Sequence, residues 1–479
     1  MSGPLDTPDT LDSLDTLDRL DDALLCDVLG HALRGGAAFA EVYAEQRDTR
    51  SVGLDDGRVE DVVTGRAIGV GIRVVDGART GYAYTDVLTP ASLRDAAAAA
   101  AAVVQAGERG RVAALTIRPP GVTHPVVRDP AEVDGPALAA LVRRCEDAAR
   151  SVDPAVVQVA VGYGDVSQRV LLANSDGHRC HERRVRTRLS ARVVAARDGE
   201  LQTGFDGPGA AVGLELFDAH PPETVGRRAA EQAVALLGAE PAPVGELPVV
   251  LAPGSGGVLF HEACGHGMEA DIVAKDASVY RGRRGEQIGT EAVSIVDDAT
   301  LVGHWGSFSF DDEGAPAART VLFDRGVCTD YLSDRIRATQ LGVARTGNAR
   351  RQSYAHVPIP RMTNTFIVPG PDDPAAIIAS VGHGLYCDAL GGGQVNPATG
   401  EFVFGVALAH LIEQGEVTRT VRGANLVGDG PTVLAGVGAV AGDFDVRQGI
   451  CGKDGQGVPA GLGNPTLLLN RITVGGTGA

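Results

Sequence analysis

His261, Glu262 and His266 place two imidazoles and a carboxylate within six residues, just after a glycine-rich turn that ends in Gly256-Gly257. Neutral imidazoles suit a borderline-soft ion such as zinc, and a carboxylate beside them can take the proton from a metal-bound water. The stretch therefore reads as the core of a hydrolytic metal site. Its spacing is unusual. Histidines four apart on a zinc-peptidase helix are rotated by roughly 40°, whereas histidines five apart on an ideal helix splay by roughly 140°. A π-type turn widens one turn by a residue and realigns them. The spacing predicts such a turn across His261 to His266, with Gly265 where a distortion is tolerated.

Two histidines need a third protein ligand if a fourth position is to stay open for water. Four residues compete. Cys264 lies inside the motif but reads as a small buried residue. Glu269 or Asp271 would give a His-His-acid set. Cys451 is distant but sits in the glycine-rich Gly449-Ile450-Cys451-Gly452-Lys453, where Lys453 favours a thiolate and tilts the choice toward it. Composition alone does not choose among them. A separate cluster of His178, Cys180 and His181 follows the turn Ser175-Asp176-Gly177 and lacks a nearby general base.

The elements that must position these groups are legible in outline. Asp56-Gly57 and Asp76-Gly77 separate β-rich runs and signal hairpins, hence antiparallel sheet. Thr89-Pro90 supplies an N-cap and first-turn proline for an alanine-rich helix. Further helices are expected near 136–151 and 224–237, before a proline-rich linker at 238–248. In Arg184, Arg186, Arg188 and Arg192 the even spacing gives one strand face, expected to be solvated. Beyond the linker, short β-branched runs between Gly and Pro clusters predict a curved or barrel-like sheet. The fold class is thus α+β: an N-terminal antiparallel sheet with helices, then a β-rich domain carrying the metal helix. The expected divisions are an acidic flexible tail at 1–20, an α+β domain at 21–120, a second α+β segment at 121–240 and a β-rich metallopeptidase domain at 241–479.

Bulk properties exclude other classes. At 479 residues the chain exceeds one ordinary core. A formal charge of -18 disfavours nucleic acid and anionic lipid. No apolar run is long enough to span a bilayer, and seven scattered cysteines fit reduced thiols better than a disulfide framework, so a cytoplasmic location is expected. The Thr/Ser-Leu-Asp triplets between Leu5 and Asp22 suit neither helix nor strand burial, and a solvated tail is expected there, becoming helical toward 20–33.

Several longer segments carry a resemblance: Gly256 to His266, Asp311-Asp312-Glu313-Gly314, Ser353-Tyr354-Ala355-His356, Arg361-Met362-Thr363-Asn364-Thr365, Gly391-Gly392-Gly393-Gln394-Val395 and Cys451-Gly452-Lys453 through Gln456. Over nearly its whole length the chain resembles the TldD-type members of the TldD/PmbA metallopeptidases. The resemblance implies a zinc peptidase acting on unfolded or small peptides, with His261, His266 and Cys451 as ligands and Glu262 as general base. It also implies pairing with a PmbA-type subunit lacking the metal motif, or a homodimer. The rival expectation is a non-catalytic regulatory subunit with a structural zinc. Asn396 departs from the acidic residue expected in the glycine-rich segment, and the Leu-Asp tail looks like an addition. Gly391 to Gly393 are read either as a site where a peptide strand adds or as a tight turn, and Asp311 to Glu313 either as steering a peptide amine or as solvating a loop.

Overall fold

The computed structural model describes residues 16–104 and 110–476. Three strands, Phe39–Asp55, Arg58–Asp76 and Arg79–Thr85, form a meander, and the long hairpin Val156–Asn174 and His178–Arg197 extends it into an eight-stranded sheet. Phe39–Asp55 pairs antiparallel with Val156–Asn174. Strands from either side of residue 120 therefore share one sheet. Asp56 and Gly57 take φ 45° and 84°, the left-handed pair that matches the twist of a two-residue hairpin.

Helices Asp22–Ala32 and Pro90–Val103 cover one patch of this sheet, while Gly135–Arg150 and Pro222–Leu236 cover another, giving two separate apolar cores. Thr89 Oγ1 accepts the Ser92 amide at 3.3 Å and caps the second helix. The triplet repeat falls mostly on residues 1–15, which lie outside the described residues. The rest of the expected tail is not solvated: Leu17 and Leu20 are buried in the first core. The arginine stripe also departs from expectation. Arg188 and Arg192 are exposed, but Arg186 is buried and Arg184 nearly so, because the C-terminal half packs across that end of the strand.

The C-terminal half is built on a closed barrel. His383–Val395, Gly245–Leu251, Leu467–Gly476, Ala424–Asp429 and Glu401–Glu413 pair in that order, and the last pairs back to the first. Closure gives each of the five strands two neighbours, although His383–Val395 pairs with Gly245–Leu251 only at Leu385–Cys387. Gly391 to Gly393 lie inside the first of these strands, in a stretch of shifted register, so they are not a tight turn; Gly391 and Gly392 have no register partner there. The proline-rich stretch is drawn into the same sheet, since Glu240–Pro241 pairs with Glu416–Arg422. A six-stranded sheet stands beside the barrel and ends in the hairpin Asp445–Lys453 and Gln456–Asn464. Among the described residues no helix is long and apolar enough to cross a membrane.

Candidate metal centre

A short helix, Gly257–Phe260, leads into a π-helical turn over His261–Gly265 and a 3-10 turn over His266–Met268. The five-residue histidine spacing thus meets the π-type turn it predicts. Gly257 seats the helix, because a Cβ there would lie 2.4 Å from the Leu462 carbonyl carbon in the hairpin that carries Cys451. Gly265 acts differently from expectation. Its φ of -62° is ordinary helix, and what it supplies is space, since a Cβ would meet Met362 Sδ at 1.9 Å.

This packing brings one donor atom each from His261, His266 and Cys451 within 4.8 Å of one another, all from buried residues. It is the one convergent group of three or more such donors among the described residues. Cys451 Sγ stands 3.6 Å from His266 Nε2. Ligands at the usual zinc–nitrogen and zinc–sulfur lengths around a tetrahedral ion would sit about 3.6 Å apart. Buried His261 Nδ1 has no hydrogen-bond partner, which is uncommon for a protein nitrogen. Burial pushes the Cys451 thiol up, yet the two imidazoles outweigh it and hold the thiol well below its ordinary range. Burial likewise pulls His266 down, and Glu269 and Cys451 raise it well above. A thiolate facing two imidazoles is a donor set that suits a borderline-soft divalent cation.

The competing ligand candidates are placed elsewhere. Cys264 is fully buried, receives the Tyr280 hydroxyl at 3.7 Å, and its thiol is pushed up to about 12 by burial. Glu269 accepts from His266 Nδ1 at 2.8 Å and so orients the ring from behind. Asp271 pairs with Lys453 Nζ at 2.9 Å. Lys453 also lies 3.0 Å from Glu269, so its charge is spent on two carboxylates and the imidazoles are what favour the thiolate. Burial pushes Glu269 up, but Lys453 and His266 bring it down to about 2. In the hairpin strand His178–Arg197, Cys180 is buried against Leu172 and Phe310 while His181 is exposed, so that cluster does not converge.

Glu262 is the partly open member of the site. Its side chain is 27% exposed and one oxygen lies 3.7 Å from His266 Nε2, so the carboxylate borders the converging donors and is partly open to solvent. A residue that sequence reasoning missed is Arg361, fully buried, which donates to the backbone carbonyls of Cys451 and Gln456 and fixes the loop that holds the thiol. The only sequence signal for it was membership of a resembling segment. Asp311, Asp312 and Glu313 neither steer nor solvate. All three are buried: Asp311 accepts three backbone amides, Asp312 pairs with Arg184, and Glu313 pairs with Arg73 and Arg345.

Comparison with known proteins agrees with this architecture. The chain is 36% identical to the metalloprotease TldD homolog of Haemophilus influenzae over 463 residues, covering 94% of this chain and 95% of that protein. A metalloprotease of Methanothermobacter thermautotrophicus is also 36% identical, covering 92% and 96%. Among solved structures, TldE from Thermococcus kodakarensis superposes with a TM-score of 0.74 at 20% identity, over 96% of this chain and 100% of that one. A Thermotoga maritima protein superposes at 0.79 with 22% identity, over 95% and 99%. Residues 40–104, 128–237 and 244–476 match, in order, domain 1, the central domain and the C-terminal domain described for PmbA/TldA metallopeptidases. With all three domains present in sequence, the chain belongs to the PmbA/TldD metallopeptidase family.

Proposed function

We propose that the chain is a zinc metallopeptidase that hydrolyses unfolded or small peptides, with His261, His266 and Cys451 holding the ion and Glu262 as general base. The convergence of exactly those three buried donors beside a partly exposed carboxylate carries the reading. When bound, zinc supplies Lewis-acid polarisation of the scissile carbonyl and lowers the pKa of a water. Glu262 accepts the water's proton at its carboxylate and passes it to the leaving amine nitrogen. Glu269 holds the His266 ring by its Nδ1, and Arg361 holds the Cys451 backbone. A three-member donor set favours this over a structural zinc, which takes four closed ligands. The working assembly in this reading pairs the chain with a PmbA- or TldE-type subunit or with a second copy, in the cytoplasm.

A Glu262→Gln variant is expected to keep stoichiometric zinc and to lose peptide hydrolysis by about 10²- to 10⁴-fold, the usual contribution of a general base. Full activity in that variant would refute the catalytic reading.

A further inference from the structure

A cavity of about 310 Å³ lies where the N-terminal sheet meets the C-terminal half, and seven arginines but only two aspartates line it. Such an excess of guanidinium is unexpected in a chain with a formal charge of -18. Three of the seven are neutralised within the fold: Arg50 by Asp165, Arg184 by Glu182 and Asp312, and Arg351 by Glu41. The other four are not. Among the described residues Arg47, Arg186, Arg188 and Arg350 have no carboxylate within ion-pair distance. Arg186 donates only to the carbonyls of Trp305 at 2.8 Å and Ser307 at 3.1 Å, and Arg350 only to the carbonyl of Met362.

Arg186 and Arg350 are also buried, at 6% and 4% exposure. Carbonyl acceptors satisfy their hydrogen bonds without cancelling their charge, and uncompensated buried charge is costly. Burial and then Arg184 and Arg350 bring Arg186 to about 9 against a smaller opposing pull from Glu182, and burial brings Arg350 to about 10 although Asp312 opposes it. Both therefore remain cations near neutrality. A bound anion is the arrangement that would compensate them.

The cavity also lies against the hairpin of the proposed catalytic centre. Ile450 forms part of its wall and precedes Cys451; their side chains leave opposite faces of the strand, exposed Ile450 on one and the buried thiol on the other. Val458, the register partner of Cys451, lines the cavity too, with Pro459 beside it. Trp305, another wall residue, donates its indole N–H to Gly449 in the strand that carries the thiol. Apolar wall and guanidinium forks together suit an extended peptide bearing a carboxylate, since the planar fork matches a carboxylate in two parallel hydrogen bonds.

Building on the peptidase reading, we propose that this cavity is a carboxylate-recognition subsite, in which Arg186, Arg188 and Arg350, with Arg47 at the rim, bind an acidic group of the peptide being cleaved. That group is either the peptide's terminal carboxylate or an Asp or Glu side chain, and both present the same chemistry to the arginines.

The test measures binding on the full chain carrying Glu262→Gln, by fluorescence anisotropy with three labelled, unstructured peptides of one sequence. One is neutral with an amidated C-terminus, one has a free C-terminal carboxylate, and one is amidated but carries a single internal Glu. At least one acidic peptide is expected to bind about ten- to a hundredfold more tightly than the neutral one, the gain from one or two charge-assisted hydrogen bonds. Which of the two gains identifies the source of the carboxylate. Adding Arg188→Gln, at an exposed position, should shrink the preference to within about threefold. Arg186→Gln should do the same, with thermal melting confirming that it folds.

Equal binding of all three peptides overturns the proposal, as does a preference that survives both variants. Tight binding of inorganic phosphate without any peptide preference overturns it in favour of a phosphate site. Loss of association with a PmbA-type subunit in Arg188→Gln, again without peptide preference, reassigns the arginines to that interface. Hydrolysis is read separately with Glu262 intact. A binding preference without cleavage sinks the peptidase reading and spares the subsite, whereas cleavage without preference does the reverse.

Discussion

Replacing Glu269 with Gln separates the proposed ligand His266 from the residue behind it. Glu269 is fully buried, accepts from His266 Nδ1 at 2.8 Å and lies 3.0 Å from Lys453 Nζ. It fixes the tautomer and direction of the His266 ring, so that Nε2 faces Cys451 Sγ at 3.6 Å. Gln keeps the shape and an accepting oxygen but removes the charge. Loss of such an outer partner typically costs 10- to 100-fold in metal affinity, or about 1.4–2.7 kcal/mol. The retained oxygen places the expectation toward the lower end. Asp271 contacts Lys453 at 2.9 Å and neither histidine, so Asp271→Asn should weaken zinc by less than about threefold. Competition against a chelator of known affinity measures both. Zinc binding by Glu269→Gln within about twofold of the parent, or an equal loss in Asp271→Asn, would break the reasoning. Near-abolition by Glu269→Gln would instead make Glu269 a ligand.

Other outcomes follow from the same geometry. Zinc at about 100 times its dissociation constant should stabilise the chain by about 2.7 kcal/mol, and calorimetry of Cys451→Ser at that zinc concentration should show most of this gain lost. Gly265→Ala should destabilise by about 1–3 kcal/mol through the clash with Met362 Sδ, as read by denaturant melts, and adding Met362→Ala should recover part of that loss rather than add to it. His124 and His304 are both held below the ordinary imidazole range by burial. Their folded forms resist protonation, so the unfolded chain binds more protons and stability should fall as pH drops through about 6.5 toward their depressed values. His124→Gln with His304→Gln should flatten that acid limb in melting experiments, and an unchanged limb would exclude these two as its source.

What the sequence carried was local. Five residues between His261 and His266 require a widened turn, because helical rotation is fixed per residue, and the turn is π-helical. Asp56-Gly57 makes a hairpin because both residues accept positive φ, and the α+β class follows from such periodic and turn signals. Thr89-Pro90 starts a helix for equally local reasons. Cooperation between distant segments was decided only by the folded chain. The 185 residues between His266 and Cys451 are spanned by a helix seated on a hairpin at Gly257, a close approach that no spacing encodes. Lys453 stands two residues from Cys451 in sequence, yet its charge goes to Glu269 and Asp271, which arrive from the start of the next helix, Ala270–Ala274. Arg184, Arg186 and Asp311 to Glu313 look like solvated charge because a sequence shows polarity but not what packs over it. Burial and charge pairing are properties of contact between segments. They exist only once the two halves meet, and the metal donors and the arginine cavity are both assembled by that packing.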